Sequence, residues 1–287
     1  MAETPDTDID TIWRTRYGPV AVVTGASDGI GREMAIALAG RGLDLVVVAR
    51  RADRLEALAA ELEQQYRVTV TPVVADLATP AGIQATITAA DGLDVGLLAA
   101  SAGFGTSGAF VDANLAAERQ MVAVNCLAVM ELTHHFGRRL AERGRGGLIL
   151  MSSLVAFQGV PNAAHYAATK AYVQSLAEGL AVELSGANVD VLAVAPGPTA
   201  SGFAERADMR MGATVTAKAV ALGALEGLGR RTVVRPGFLS KALEASLALL
   251  PRRGRVRMLG KVMGGMTQHQ HDGQSSEAER PARSLSS

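Results

Sequence analysis

The sequence predicts an α/β protein built on a doubly wound parallel sheet of about seven strands with helices on both faces. Three observations predict it. Apolar runs and helical patterns alternate from Val20 onward, glycine turns separate each run from the helix after it, and the runs lack the polar alternation of a half-exposed strand. Strands without a polar side are buried on both faces, which a parallel sheet covered by helices provides.

In chain order, VAVVT (20–24) is the first strand and a helical pattern over 29–40 follows it. LVVVA (45–49) leads to a helix over 54–66, and VTVTPVV (68–74) to a helix over 80–90. GLLAAS (96–101), GLILMS (147–152) and VDVLAVA (189–195) are the next three strands, separated by long helical patterns over 112–143 and 163–184. After a helical pattern over 217–229, TVVR (232–235) is a seventh. The predicted domain therefore spans 17–240, with no pattern of a second one. Residues 1–16 read as a polar arm outside the fold, 241–263 as a basic, apolar helical segment, and 264–287 as a tail with too few apolar residues to bury, expected to be disordered.

Composition narrows the function classes. A chain of 287 residues with 20% charged side chains can bury a sizeable core. Its 28 Lys+Arg balance 28 Asp+Glu, so no overall basic field points to nucleic acid. Cys126 is the single cysteine and cannot form an intramolecular disulfide or a thiolate zinc site, which suits a reducing compartment and a cytoplasmic address. The start, MAETPDTDIDTIWRTRYG, is acidic and polar rather than signal-like, and no apolar run reaches ~18 residues, so no membrane span is expected.

The first chemical motif is TGASDGIG (24–31), between the first strand and the first helix. Gly25, Gly29 and Gly31 permit a tight turn and a close backbone approach to a pyrophosphate. Ser27, Asp28 and Ile30 complete the loop, and the N–H groups at the helix start offer partial positive charge. A dinucleotide fits there. At the end of the second strand, where an acid would bond a free ribose 2′-hydroxyl, the chain has Arg50 and Arg51 instead. A guanidinium can bond a 2′-phosphate through two parallel donors, so NADP(H) is expected over NAD(H). Asp76, with Leu77 after it, ends the third strand where an adenine amino group can be bonded.

Tyr166 and Lys170 stand four apart in SSLVAFQGVPNAAHYAATK (152–170), one helical turn from each other on one face. A phenol with a pKa near ~10 transfers protons poorly at neutral pH, and a neighbouring ammonium that favours the phenolate brings it toward working range. Ser153, at the end of a strand, can bond a substrate carbonyl.

Together these residues, with Asn125 in the 112–143 helix and PGPTAS (196–201) after the sixth strand, resemble the short-chain dehydrogenase/reductase family, in order and spacing, across about residues 18–240. The resemblance implies a Rossmann-type fold. It also implies Tyr166 as general acid/base, Lys170 as its pKa partner and nicotinamide-ribose ligand, Ser153 orienting the carbonyl, and Asn125 holding a water that links Lys170 to solvent. Ala100-Ser101-Ala102-Gly103 stands where the family usually has Asn-Asn-Ala-Gly. Ser101 thus replaces an asparagine that braces the pocket, while Ala102 and Gly103 still allow close approach to the cofactor. Pro196 and Gly197 form the turn beside the nicotinamide, Thr199 offers its backbone to the carboxamide, and Ser201 sits where the family commonly has threonine. The two long helices resemble the family's dimer interface, so a homodimer or homotetramer is expected.

The expected activity is hydride transfer between NADP(H) and a small-molecule ketone, aldehyde or secondary alcohol of hydrophobic character. The competing class is an idle nucleotide-binding sensor or scaffold of the same fold, and the intact set Asn125, Ser153, Tyr166 and Lys170 argues against it. No metal site is expected. His134 and His135 are adjacent and point to different sides, His165 reads as a helix-face residue, and His269 and His271 fall in the polar tail. From Arg230 to Lys261 nine Lys/Arg face one acid, Glu244. The resemblance implies that the apolar helix around Phe238–Leu250 forms a substrate lid or wall. The arginines fit three readings: a solvated flank, an attractor for an anionic substrate, or a peripheral contact with an anionic membrane.

Overall fold

The structure is a computed structural model that describes residues 7–212, 214–237 and 250–278. Helix α1 (Thr7–Tyr17) precedes three βα units: β1 (Val20–Thr24) with α2 (Gly29–Ala39), β2 (Asp44–Ala49) with α3 (Ala52–Tyr66), and β3 (Val70–Val74) with α4 (Pro80–Ala89). Then come β4 (Val95–Ala100), α5 (Leu115–Val122), a π turn (Ala123–Ala128), α6 (Val129–Arg143), β5 (Gly146–Met151), a 3₁₀ turn (Leu154–Phe157), α7 (Ala164–Glu183) and β6 (Val189–Val194). The last part holds β7 (Thr199–Ala200), α8 (Phe203–Arg206), β8 (Val215–Thr216), α9 (Ala217–Gly227), β9 (Val233–Val234) and α10 (Arg252–Ala278).

Seven strands form one parallel sheet in the order β3-β2-β1-β4-β5-β6-β9. The chain winds outward from β1 in one direction and restarts at β4 in the other, so a crevice opens between β1 and β4 at the strands' carboxyl ends. Central strands are apolar because both faces are covered: every residue of β1, β4 and β5 is buried. Edge strand β3 exposes Thr71 and Pro72, and an edge position tolerates a residue that lacks an N–H. One face packs α2, α3 and α9 through Met34, Leu38, Leu55, Leu62, Val220 and Leu225. The other packs α6 and α7 through Leu132, Phe136, Leu140, Val173 and Ala177. A third apolar cluster, with Phe104, Met121, Tyr166, Met209, Leu259 and Met263, caps the carboxyl ends.

The seven predicted strands are present, and three expectations need correction. The arm is not outside the fold through its whole length, because α1 docks. Tyr17 is buried, its hydroxyl donates to Asp190 Oδ2 at 2.6 Å, and Arg16 pairs with the same carboxylate at 2.6 Å. The tail from Gly264 is helical as far as Ala278, because Met263, Met266 and Thr267 continue an inward stripe that begins at Leu259. The 112–143 pattern is broken by the π turn at Ala123–Ala128. The small parallel pair β7–β8 has too few residues to leave a period in the sequence. The predicted lid helix at 238–250 lies, up to residue 249, outside the described residues. Among the described residues no helix is long and apolar enough to cross a membrane.

Candidate active site

The glycine-rich loop is shaped by approach distances. A Cβ on Gly31 would lie 2.3 Å from the Gly25 carbonyl oxygen, and Gly25 itself has φ +71°, so both positions need glycine. Asp28 caps α2 by accepting from the Gly29 N–H at 2.7 Å. Across the crevice Ala102 donates its N–H to Thr24 Oγ1 at 3.0 Å, tying the end of β4 to the end of β1. Asp76 Oδ1 accepts from the Ala78 N–H at 3.0 Å beside buried Leu77.

Three arginines edge this end. Arg50 lines the cavity. Arg51 donates through Nε and Nη2 to Ser27 Oγ at 3.2 and 3.0 Å, and Arg51 and Arg54 reach Asp28 Oδ2 at 3.3 and 3.2 Å. Sequence reading missed Arg54. Its signal was the 51/54 spacing, which sets the two guanidiniums on one side of the first turn of α3.

At the other end α7 buries Tyr166 and Lys170 together. Lys170 Nζ donates to the Met151 carbonyl at 2.8 Å and lies 5.9 Å from the Tyr166 ring centroid. Burial pushes the Tyr166 hydroxyl up to about 12, against a hydrogen bond with the Ser153 side chain that works to lower it. Burial draws the Lys170 ammonium down to about 8. Ser153 caps the 3₁₀ turn, and neighbouring Ser152 is turned away, donating to the Lys170 carbonyl at 3.2 Å.

Asn125 is fully buried in the π turn, and its side chain holds Phe104 on both sides. Oδ1 accepts from the Phe104 N–H at 3.1 Å, and Nδ2 donates to the Phe104 carbonyl at 2.8 Å and to Thr169 Oγ1 at 3.1 Å. A Cβ on Gly103 would sit 3.0 Å from Asn125 Oδ1 and 3.2 Å from Lys170 Nζ, so the Ala102–Gly103 turn rests on both groups. In PGPTAS, Thr199 Oγ1 donates to the Gly197 carbonyl at 3.0 Å, and Ser201 Oγ accepts from the Phe203 N–H at 3.4 Å.

One cavity of about 880 Å³ joins the two ends. Gly25, Ser27, Asp28, Gly29, Ile30, Gly31, Arg50, Asp76, Leu77, Ala102 and Gly103 line it toward the glycine-rich loop. Ser153, Tyr166, Lys170, Pro196, Gly197, Thr199 and Ser201 line it toward α7, and Asn125 lies behind the wall. Ser101 lines it too, and its hydroxyl is buried without a hydrogen-bond partner. The glycine cradle, the arginines and this waiting hydroxyl fit a dinucleotide.

The segments 154–160 and 200–215, read from the sequence as apolar pocket lining, supply part of the wall over the α7 end, while the part that α10 supplies was missed. Val155, Phe203, Met209, Leu259, Met263 and Met266 close it with apolar surface. Helix α10 is held there by Gln270, whose Nε2 donates to Ser107 Oγ at 2.8 Å, and by His269, which pairs with Asp208 at 2.9 Å. His165 hydrogen-bonds buried Glu118. Among the described residues no cluster of side chains could hold a metal ion.

The family model for short chain dehydrogenases matches residues 19–211. The 7beta-hydroxysteroid dehydrogenase of Clostridium sardiniense is 30% identical over 258 residues, covering 88% of this chain and 99% of that one. A solved 7beta-hydroxysteroid dehydrogenase structure superposes with TM-score 0.80 at 27% identity, over 86% of this chain and 98% of the other. A short-chain dehydrogenase from Sphingobium yanoikuyae in complex with NADPH gives 0.75 at 29% identity, over 94% and 99%. The chain belongs to the short-chain dehydrogenase/reductase family. It is an oxidoreductase that works on CH–OH and C=O groups with a nicotinamide cofactor.

The burial of Lys170 has a measurable consequence for stability. Its pKa is about 8 in the fold against 10.5 for the ordinary side chain, so between those values the unfolded chain binds more protons. Stability from this group therefore rises as pH climbs from about 8 to about 10.5, and the penalty is fully present below 8. Lys170→Met removes a penalty of order 3 kcal/mol, offset by about 1 kcal/mol for the lost hydrogen bond to Met151. The variant is expected to melt several degrees above wild type at pH 7, with the gap narrowing toward pH 10. A variant that melts lower at pH 7 would contradict this.

Proposed function

We propose that the protein interconverts a bulky, apolar ketone and its secondary alcohol with NADP(H), NAD(H) being the weaker cofactor. One observation carries this: a single cavity has three arginines at one end and Ser153, Tyr166 and Lys170 at the other. The apolar wall of Val155, Phe203, Met209, Leu259 and Met263 supports a hydrophobic substrate, in keeping with the hydroxysteroid activity named for the relatives.

When bound, the nicotinamide supplies or accepts a hydride at the substrate carbon. Gly25 through Gly31 hold the pyrophosphate, the arginines the 2′-phosphate, Asp76 and Leu77 the adenine end, and Pro196 to Ser201 the nicotinamide end. For reduction, Ser153 and Tyr166 donate hydrogen bonds to the carbonyl oxygen. Tyr166 passes its proton to that oxygen as negative charge develops there. Lys170 then favours the phenolate left behind, countering the burial that raises the Tyr166 pKa. Both amide hydrogens of Asn125 are committed to Phe104 and Thr169, so the water that the family resemblance implies at Asn125 finds no free side-chain donor there.

Of the three readings of the basic segment, two gain support. Arg255 lines the cavity on the same helix face as Leu259 and Met263, while Arg252, Arg253, Arg257 and Lys261 are exposed as a solvated flank. The expectation of self-association, which the resemblance implies, is supported by the exposed Leu127, Met130, Tyr172 and Val182 along the long helices.

Parallel fluorescence titrations with NADPH and NADH test the cofactor assignment. NADPH is expected to bind at least about tenfold tighter, a gap of ~1.4 kcal/mol, and Arg50→Ala to narrow that gap. Equal affinities in the wild type would overturn the NADP assignment, and equal loss of both cofactors in the variant would give Arg50 a structural role.

A further inference from the structure

The segment after β7 forms a roof over the crevice. A Cβ on Gly29 would meet Ser201 Cβ at 3.0 Å, and one on Gly202 would meet Asp28 Oδ2 at 3.0 Å, so the roof lies across the start of α2. From α8 the roof sends one long cation into the cavity. The Arg206 guanidinium lies over the Phe104 ring, 3.9 Å from its centroid. A stacked guanidinium keeps its in-plane donors free to bond an anion at its edge. The ring beneath it does not wander, because Asn125 holds both the N–H and the carbonyl of Phe104.

Arg206 shares the cavity with Arg50, which follows the end of β2, and with Asp76. Both charges are felt: after burial, repulsion from Arg50 lowers the Arg206 pKa, and Asp76 raises it. Two guanidiniums that repel across a cavity gain when an anion enters between them. A dinucleotide brings such an anion as phosphate. The same roof continues into Ala207 and Met209, both buried in the apolar cluster around Tyr166.

We infer that Arg206 is a phosphate-binding residue of the roof: stacked on Phe104 in the cavity that Arg50 also lines, it takes an anionic phosphate of the bound dinucleotide. Cofactor binding thereby fixes the wall that contacts substrate. This rests on the dinucleotide reading of the cavity, and it assigns to α8 a role the sequence motifs do not touch.

The test uses the full chain and reads binding, not turnover. Arg206→Ala and Arg206→Lys are titrated with NADPH and with NADH by fluorescence, and the 201–211 segment is probed by limited proteolysis with and without cofactor. Arg206 is exposed, so both variants are expected to keep the wild-type melting temperature. The expected result is an affinity loss of about tenfold for Arg206→Ala, a smaller loss for Arg206→Lys, and cofactor protection of the segment in wild type alone. Loss confined to NADPH places the contact at the 2′-phosphate, and equal loss of both cofactors places it at the pyrophosphate. Unchanged affinity in Arg206→Ala, with wild type binding normally, overturns the inference alone. A wild type that binds neither cofactor overturns the dinucleotide reading and the inference with it.

Discussion

Tyr166→Phe is expected to lower turnover by about a thousandfold while leaving the NADPH titration within about twofold of wild type. The variant isolates one atom. Phenylalanine keeps the buried ring and its packing at 5.3 Å from Phe203, so the wall over the site stays as it is. What goes is the hydroxyl that carries the proton to the substrate oxygen. Proton transfer by a placed side chain contributes roughly 10²–10⁴-fold, and here the hydroxyl must also displace any direct route from water, because Tyr166 is 8% exposed. The raised pKa sharpens the expectation. A hydroxyl pushed up to about 12 by burial stays protonated at neutral pH, so it is a ready donor for reduction and a poor base for oxidation. The wild type is therefore expected to gain oxidation rate with rising pH more steeply than reduction rate. Turnover of Tyr166→Phe within about tenfold of wild type, measured on a panel of bulky ketones, would remove Tyr166 from the chemistry.

The sheet was legible because burial on both faces leaves no room for polar residues. Uninterrupted runs such as VAVVT and GLILMS are strands with nowhere polar to point, and each is followed by a glycine or helix-starting turn. The two chemical ends of the cavity were legible for a different reason. Close approach forces glycine at positions 25 and 31, and a one-turn spacing sets Tyr166 and Lys170 on one face, so both constraints act on neighbours in the chain.

What escaped reading is made by contacts between distant segments. Residues 264–287 are polar on average, and averaging hides a narrow stripe: Leu259, Met263, Met266 and Gln270 fall three and four apart and face one way. Likewise Trp13 in the polar arm and Tyr17 just after it, one turn apart, help dock α1. Arg206 carries no local pattern at all. The stretch from α5 to β7 lies between it and Phe104 in the chain, and only the folded chain brings the pair together.

The second large effect is expected at Gly31, and it concerns fold and cofactor at once. A methyl group on Gly31 would lie 2.3 Å from the Gly25 oxygen, 2.7 Å from its carbon and 3.0 Å from the Thr24 oxygen. All three are backbone atoms at the end of a buried strand, so no side chain can rotate away. Relief requires α2 to lift off the loop. That helix is wedged by Met34, Ala35 and Leu38 into the core shared with α9, so lifting it strains packed surface, at a cost of about 1–3 kcal/mol or more. It also moves the N–H groups at the start of α2 out of the position in which they meet a pyrophosphate. Gly31→Ala is expected to melt several degrees lower and to lose NADPH and NADH binding alike, by well over about tenfold. Gly40→Ala, at the other end of the same helix, is the control. Its φ is −61° and the nearest atom to a new methyl is 3.4 Å away, so the substitution is expected to be neutral or slightly stabilising. If Gly31→Ala bound NADPH as wild type does, the close approach of strand, loop and helix would not be what holds the dinucleotide, and the arginine end of the cavity would have to supply the affinity on its own.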